Sequence, residues 1–170
     1  MTNSQGVIVR RIQKDDYDAI RQIYRAVIEE YREFLSTNGE DNSVSPVFER
    51  SRFEFYLGQT KSSYVAVLNG KVVGFILSQE QEWSGHEEQS RKCLHLAYIA
   101  VHPDCQRHGI GLTLLDTVKK YAVEHGLDEL STDLNTNNEP SRKLLTRAGF
   151  IVKDWRIGFL RITSQTHEQG

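Results

Sequence analysis

The segment Cys105–Asp116 reads CQRHGIGLTLLD, with two glycines directly before a helical pattern. A strand-like run, CLHLAYIAV at Cys93–Val101, precedes it and ends near Pro103. A strand, a short loop and a helix in this order leave several backbone N–H groups unpaired at the start of the helix. Because glycine lacks a side chain and the helix dipole favours negative charge there, the junction is suited to a phosphate group. Arg107 adds a cation and Gln106 a hydrogen-bonding group.

Two common phosphate-binding motifs do not fit this junction. A Walker loop requires a lysine and a wider spacing of its glycines. A dinucleotide fingerprint requires a third small residue where this chain has Leu114. The spacing alone leaves open a plain turn, whose glycines serve only the backbone geometry, and a general nucleotide-phosphate binder.

The surrounding pattern predicts a mixed α/β (α+β) fold. The clearest local signal is SYVAVLNGKVVGFILSQ, in which two strand-like runs flank Asn69-Gly70, the preferred pair for a tight hairpin. Further strands are predicted at Val7–Ile12, Glu129–Leu134, Phe150–Val152 and Trp155–Ile162. Helices are predicted after Asp16, at about Phe48–Leu57, from Gly109 to Gly126 and from Asn138 to Gly149. The polar segment Glu80–Lys92 is predicted to be a surface loop. We therefore expect about seven strands in a central, largely antiparallel mixed sheet, flanked by about four helices.

Composition bounds the class of protein. The chain has 170 residues, 38% of them hydrophobic, and a net charge of -2. This size predicts a single domain over residues 1–165 with a polar tail at 166–170. The near-neutral charge gives no general attraction to nucleic acid, and no apolar run predicts a membrane span. The two cysteines match no disulfide framework and no ligand cluster has metal spacing, so we expect a cytoplasmic protein without a metal.

A second motif gives the junction a specific meaning. NEPSRKLLTRAGF at Asn138–Phe150, together with IAVHPDCQRHGIGLTLL, resembles the GNAT superfamily of acetyl-CoA-dependent N-acetyltransferases. The Q-x-x-G-x-G core of that family is matched by Gln106, Gly109 and Gly111, and its second signature by Asn138, Ser141, Leu144, Gly149 and Phe150. The run IAVHPDCQRHGIG is similar to the branch that contains the ribosomal-protein alanine N-acetyltransferases.

The resemblance implies acetyl-CoA as co-substrate and a set of residues that bind it. The pyrophosphate would lie on the loop and the pantetheine arm would pair with a strand edge, as an added strand does. Asn138 would contact the arm, although its role as a helix cap is an equal alternative. The implied cofactor-binding residues are Ile99, Ala100, Val101, Gln106, Arg107, His108, Gly109, Ile110, Gly111, Leu112 and Asn138.

Acetyl transfer to an amine requires proton removal. A primary amine with a pKa near ~10.4 is neutral in only about one molecule in 2,500 at pH 7. His95 is the candidate base, because an imidazole titrates near the working pH and because its strand resembles the histone acetyltransferase strand that carries a glutamate base. The alternative is a histidine that only bonds within the sheet. Tyr98 is a second catalytic candidate, although a regular pleat would direct it to the opposite face unless a bulge intervenes.

This chain lacks one catalytic residue of many relatives, and the resemblance does not identify the acceptor. Many relatives have a tyrosine that protonates the leaving thiolate where this chain has Leu145. A non-catalytic acyl-CoA-binding sensor is therefore the rival prediction. Acidic residues in the first helix and beyond could attract a cationic acceptor, such as a polyamine, an amino sugar or a basic peptide end, or could simply form a solvated face. The acceptor candidates are Glu29, Glu30, Tyr31 and Glu33. A homodimer is compatible with the resemblance, because dimers are frequent among relatives.

Overall fold

The computed structural model describes residues 6–31, 47–59, 61–83, 91–134 and 138–152. Within them, five strands form one sheet in the order β1-β2-β3-β4-β5. The first three pairings are antiparallel and β4 pairs with β5 in parallel. The strands are β1 Val7–Arg11, β2 Tyr64–Leu68, β3 Lys71–Trp83, β4 Arg91–Val101 and β5 Glu129–Thr132, and the α-helices are α1 Tyr17–Glu30, α2 Arg50–Gln59, α3 Ile110–Glu124 and α4 Glu139–Arg147.

The predicted hairpin turn and the predicted end of α3 are confirmed, whereas Asp16, the N-cap of α1, makes no side-chain capping bond to that helix. Asn69 and Gly70 both have positive φ, at 50° and 75°, and join Leu68 to Lys71 in a tight hairpin. Gly126 follows α3 with a φ of 63°, which is the left-handed conformation that ends a helix. The mixed α/β class and the four helices agree with the prediction.

The strand boundaries differ from the prediction in two places. The predicted surface loop at Glu80–Lys92 is wrong at both ends, since β3 continues to Trp83 and β4 begins at Arg91. Polar side chains are compatible with pairing here, because this end of the hairpin lies at the rim of the sheet, where residues such as Glu82 are exposed. Residues 150–152 lie in no described strand, and the predicted strand Trp155–Ile162 lies outside the described residues.

Two hydrophobic clusters cover the two faces of the sheet. One cluster packs α3 and α4 against one face, with Leu94 and Leu96 of β4 pointing into it. The other packs α1 and α2 against the opposite face, which includes Tyr98 of β4. Gly111 lets α3 pack closely against Leu144 of α4. A Cβ at this position would lie only 3.0 Å from the Leu144 side chain, which is closer than an ordinary van der Waals contact.

A bulge in β4 changes the direction of the strand's side chains. Leu77 of β3 pairs with Tyr98, whereas the next residue, Ser78, pairs with Leu96, so Ala97 is an extra residue in β4. A bulge of this kind bends the strand and re-aims the side chains that follow it. As a result His95 and Tyr98, three residues apart, both belong to the face that α1 and α2 cover.

Candidate active site

β4 and β5 separate into a fork. Their parallel pairing covers Cys93–Leu96 and ends there. Beyond the bulge, β4 continues to Val101 with β3 on one side and no strand partner among the described residues on the other. The fork opens into a cavity of about 340 Å³, which α1 and α4 close at its sides, lined by Tyr24, Val27, Ile28, Tyr31, Phe75, Ala97, Tyr98, Ile99, Ala100, Thr132, Asp133, Leu134, Asn138, Ser141 and Leu145. The predicted strand edge at Ile99–Val101 therefore faces open space at its first two residues.

The loop before α3 forms a nest of unpaired backbone N–H groups at the end of β4. Arg107 and Gly109 have φ angles of 63° and 82°, and Gly109 is the N-cap of α3. The backbone N–H groups of residues 107–112 donate to no partner among the described residues. Left-handed residues placed before a helix turn successive N–H groups toward one point, where an anion is stabilised. Arg107 and His108 are exposed beside the nest, so both are accessible to a bound phosphate.

Gln106 connects the loop to α1 rather than facing the nest with its side chain. Its Nε2 donates to the Val101 carbonyl at 3.1 Å and to Glu30 at 3.3 Å, and its Oε1 accepts from the Tyr31 hydroxyl at 2.8 Å. Burial and the nearby Glu30 raise the pKa of Tyr31, so this hydroxyl stays protonated and remains a donor. The glutamine thus fixes the end of β4 against α1, beside the cavity that Tyr31 lines.

The start of α4 forms one side of the fork. Asn138 is the N-cap of this helix and its Oδ1 accepts from the Ser141 backbone N–H at 3.1 Å. Both residues also line the cavity, so the cap role and a cavity-facing role coexist at Asn138. Leu145, one turn further along α4, is buried and presents an apolar side chain to the same cavity.

His95 lies in a chain of polar contacts where the fork begins. Its Nδ1 is 3.1 Å from Ser131 Oγ, which also accepts from the thiol of Cys93 at 3.0 Å. Burial raises the pKa of the Cys93 thiol, which therefore remains a proton donor. On the other side of the ring, Nε2 is 3.8 Å from a carboxylate oxygen of Asp133, a residue that lines the cavity. His95 itself does not line the cavity and reaches it only through Asp133.

Tyr98 forms part of an aromatic wall with Tyr24, Phe48 and Tyr56, of which Tyr24 and Tyr98 line the cavity. Its ring centroid lies 5.6 Å from that of Phe48, 6.0 Å from Tyr24 and 6.1 Å from Tyr56. Burial raises the pKa of Tyr24 and of Tyr56, with a smaller contribution from Tyr98. The guanidinium of Arg52 lies over the Tyr98 ring, 5.5 Å from its centroid.

The acidic candidates do not converge on this cavity. Glu29 is exposed and forms an ion pair with Arg25 at 2.8 Å. Glu30 contacts Gln106, and Glu33 lies outside the described residues. Of the three candidates that the structure describes, Tyr31 lines the cavity and Glu29 and Glu30 do not.

Sequence reasoning missed Asp133 and the aromatic wall. Asp133 directly follows β5, and polar residues after neighbouring parallel strands collect at one edge of a sheet, so its position carried a usable signal. The wall carried none, because it joins α1, the segment before α2, and β4 across long stretches of chain. Within the described residues, no three His, Cys, Asp or Glu side chains are grouped as a metal site requires. No helix that the structure describes is long and apolar enough to cross a membrane.

Comparison with known proteins gives a family match from the sequence and similar solved structures from the fold. The sequence model of the Acetyltransferase (GNAT) family matches residues 20–150. An uncharacterised N-acetyltransferase of Methanocaldococcus jannaschii, MJ1530, is 23% identical over 145 residues, which cover 85% of this chain and 78% of that protein.

Two solved structures share the fold. The aminoglycoside acetyltransferase meta-AAC0020 from an uncultured soil metagenomic sample, in complex with trehalose, has a TM-score of 0.67 at 18% identity and covers 94% of this chain and 98% of its own. Arabidopsis thaliana Naa50, in complex with the bisubstrate analogue CoA-Ac-MVNAL, has a TM-score of 0.62 at 15% identity, with 88% and 86% covered.

Proposed function

Because the chain belongs to the GNAT acetyltransferase family, we propose that it moves the acetyl group of acetyl-CoA to a primary amine by direct attack. The observation that carries the proposal is the nest of unpaired N–H groups at residues 107–112, placed at the end of a strand edge that has no partner among the described residues and runs into a cavity. The nest, the open strand edge and the cavity thereby lie in a row, as sites for the pyrophosphate, the pantetheine arm and the acceptor would.

The cofactor would bind along this line. Its pyrophosphate accepts from the N–H groups of the nest, with Arg107 as a counter-charge, and its pantetheine amides pair with the edge at Ile99–Val101. The four residue steps of β4 from Val101 back to Ala97 span about 13 Å at the usual strand rise. The thioester would therefore lie near the bulge, between Tyr98 on one side and α4 on the other.

His95 and Asp133 would remove the proton from the attacking amine. When Nδ1–H donates to Ser131, Nε2 is free to accept a proton, which would reach it through water because His95 itself does not line the cavity. The resulting imidazolium would lie 3.8 Å from Asp133, whose negative charge stabilises it. Asp133, whose side chain is fully exposed, also lines the cavity, where it would attract the protonated form of the incoming amine.

The leaving thiolate would depart without a tyrosine acid. Many relatives have a tyrosine hydroxyl at this position that can protonate the thiolate, whereas the buried, apolar side chain of Leu145 has no proton to donate. A thiol with a pKa near ~8.5 leaves tolerably as its thiolate. A backbone N–H near Ile99, at the open strand edge, would stabilise the oxyanion, a contribution worth about 3 kcal/mol in comparable sites.

Release of free thiol from acetyl-CoA in the presence of a panel of amines tests transfer. Amine-dependent thiol release and a product heavier by one acetyl group in mass spectrometry are the expected result. The rival function, a non-catalytic acyl-CoA sensor, predicts that CoA raises the melting temperature while no amine releases thiol. A general nucleotide-phosphate binder predicts that ATP competes as well as CoA.

Several expectations from the sequence remain predictions. They are the single domain over residues 1–165 with a polar tail at 166–170, a cytoplasmic location, a homodimer, the likeness to the ribosomal-protein alanine N-acetyltransferases, and the absence of nucleic-acid and membrane partners. Size-exclusion chromatography with light scattering tests the homodimer most simply.

A further inference from the structure

We propose that the acceptor carries a carboxylate beside its amine, and that Arg52 with the hydroxyl groups of Tyr24 and Tyr98 binds that carboxylate. The inference deepens the proposed acetyl transfer and rests on it. It differs from the expectation raised by the acidic segment, which favoured a polycationic acceptor.

Arg52 is an exposed cation that lies over Tyr98, a residue of the cavity lining, and no described residue supplies its counter-ion. Its guanidinium lies over the rings of Tyr98 and Phe48, at 5.5 Å and 6.0 Å from their centroids. The chain places aromatic residues four positions before and after it, Phe48 and Tyr56, where an acid would form a helical ion pair. Arg52 pairs with no carboxylate among the described residues, whereas Arg50 in the same helix pairs with Glu54 at 3.1 Å. The aromatic faces thus hold a guanidinium whose N–H donors are available to a ligand.

Two tyrosine hydroxyls open to the same space. Both Tyr24 and Tyr98 line the cavity, and neither hydroxyl makes a hydrogen bond within the described part of the chain. Since no buried side-chain nitrogen or oxygen there lacks a partner, these hydroxyls are accessible rather than sealed in the core. The Tyr24 ring lies 6.0 Å from the Tyr98 ring, over which the guanidinium of Arg52 lies, and burial raises the pKa of Tyr24 while Arg52 acts on it in the opposite direction. Neutral phenols and a guanidinium together are donors suited to a carboxylate.

The other wall has the opposite charge. Asp133 lines the cavity from the β5 side and faces His95. An acceptor that bears one amine and one carboxylate would place its amine toward Asp133, near the thioester, and its carboxylate toward Arg52. A polycation such as an aminoglycoside would instead bring a positive charge against Arg52, which is unfavourable. The chemical class that matches both walls is a small zwitterion, such as an α-amino acid.

Matched amine pairs test the inference in the acetyl transfer assay. Each pair consists of an amino acid and its decarboxylated amine, such as lysine and 1,5-diaminopentane or phenylalanine and phenethylamine, with O-phosphoethanolamine against ethanolamine as the phosphate arm. We expect kcat/KM to be at least tenfold higher for the carboxylate-bearing member, with a smaller gain from phosphate. Arg52→Gln should remove this preference mainly by raising KM for the amino acid, Arg52→Lys should keep part of it, and Arg52→Glu should reverse it. Arg50→Gln, which removes a cation from the same helix away from the cavity, should leave the preference unchanged.

Four outcomes would count against the inference. Decarboxylated amines that react as well as the amino acids, or a preference that survives Arg52→Gln in a protein with an unchanged melting temperature, would remove the carboxylate site while leaving acetyl transfer intact. If phosphate raises kcat/KM more than carboxylate does, the site prefers phosphate and the assignment of a carboxylate is wrong. Absence of thiol release with every amine, while CoA still stabilises the protein, would count against the transfer reaction and the acceptor class together.

Discussion

Substitution of Gly109 tests whether the nest before α3 binds the cofactor. This glycine has φ 82° and ψ -1°, a left-handed conformation that costs a residue with a Cβ about 1–2 kcal/mol. An alanine side chain that relaxes this strain turns at least one N–H away from the common anion position. A hydrogen bond to a charged group contributes roughly 1.5–3 kcal/mol, so Gly109→Ala should weaken CoA binding by about 10- to 100-fold. Isothermal calorimetry with CoA measures the affinity, and urea denaturation measures the stability.

Gly126→Ala is the matched control for this substitution. Gly126 also has a positive φ, at 63°, and a Cβ there would meet nothing within 4 Å. It lies at the far end of α3, which is roughly 22 Å long. Both variants should lose similar stability, while only Gly109→Ala should lose affinity for CoA. If Gly109→Ala binds CoA within twofold of the parent protein, the nest is not the cofactor site and the reasoning fails.

Three further substitutions probe the base, the first helix and an alkaline transition. His95→Gln should lower kcat more than tenfold at saturating acetyl-CoA and flatten the acidic limb of the pH–rate profile; an unchanged profile would remove His95 from the mechanism. Asp16→Ala should lower the free energy of unfolding by about 3 kcal/mol in urea denaturation, because Asp16 is buried and accepts two hydrogen bonds of 2.7 Å from Arg10. Asp15→Ala, at an exposed position, is the control and should change the free energy of unfolding little. Burial and the bond to Glu80 raise the pKa of Tyr121 to about 12. The stability that the neutral hydroxyl contributes is fully present below pH ~10, the ordinary tyrosine pKa, and is lost as pH rises toward the raised value. Tyr121→Phe should therefore remove about 2 kcal/mol of the difference in unfolding free energy between those two pH values, and an alkaline unfolding curve identical to that of the parent would contradict this.

Local signals in the sequence were sufficient for the backbone geometry of the loop before α3 and of the turns. The hairpin at Asn69-Gly70, the cap at Asn138 and the glycines of the loop depend on positive φ or on short-range hydrogen bonds, and these preferences are readable from a few neighbouring residues. The positions of Gly109 and of the unpaired N–H groups follow from the same short stretch. The geometry of such a junction, with left-handed residues and unpaired N–H groups before a helix, can therefore be predicted from the order of its residues alone.

The acceptor side depends on contacts that no short stretch encodes. The bulge at Ala97 decides that Tyr98 shares a face with His95, and it results from how β3 and β4 pair rather than from a local motif. Arg52 reads as an ordinary exposed helix residue until Phe48 and Tyr98 are found beneath it. The extent of β3 was underestimated for a related reason, since polar residues at the rim of a sheet resemble those of a loop.

The central claim is that backbone N–H groups at residues 107–112 bind the pyrophosphate and direct the pantetheine arm along β4. Amide chemical shifts of the ¹⁵N-labelled protein, followed by NMR during titration with CoA, measure this residue by residue. The account predicts that the largest changes occur at Arg107–Leu112 and at Ile99–Val101, with little change in β1 and β2. Saturable binding of CoA that leaves the amide shifts of both segments unchanged would contradict it.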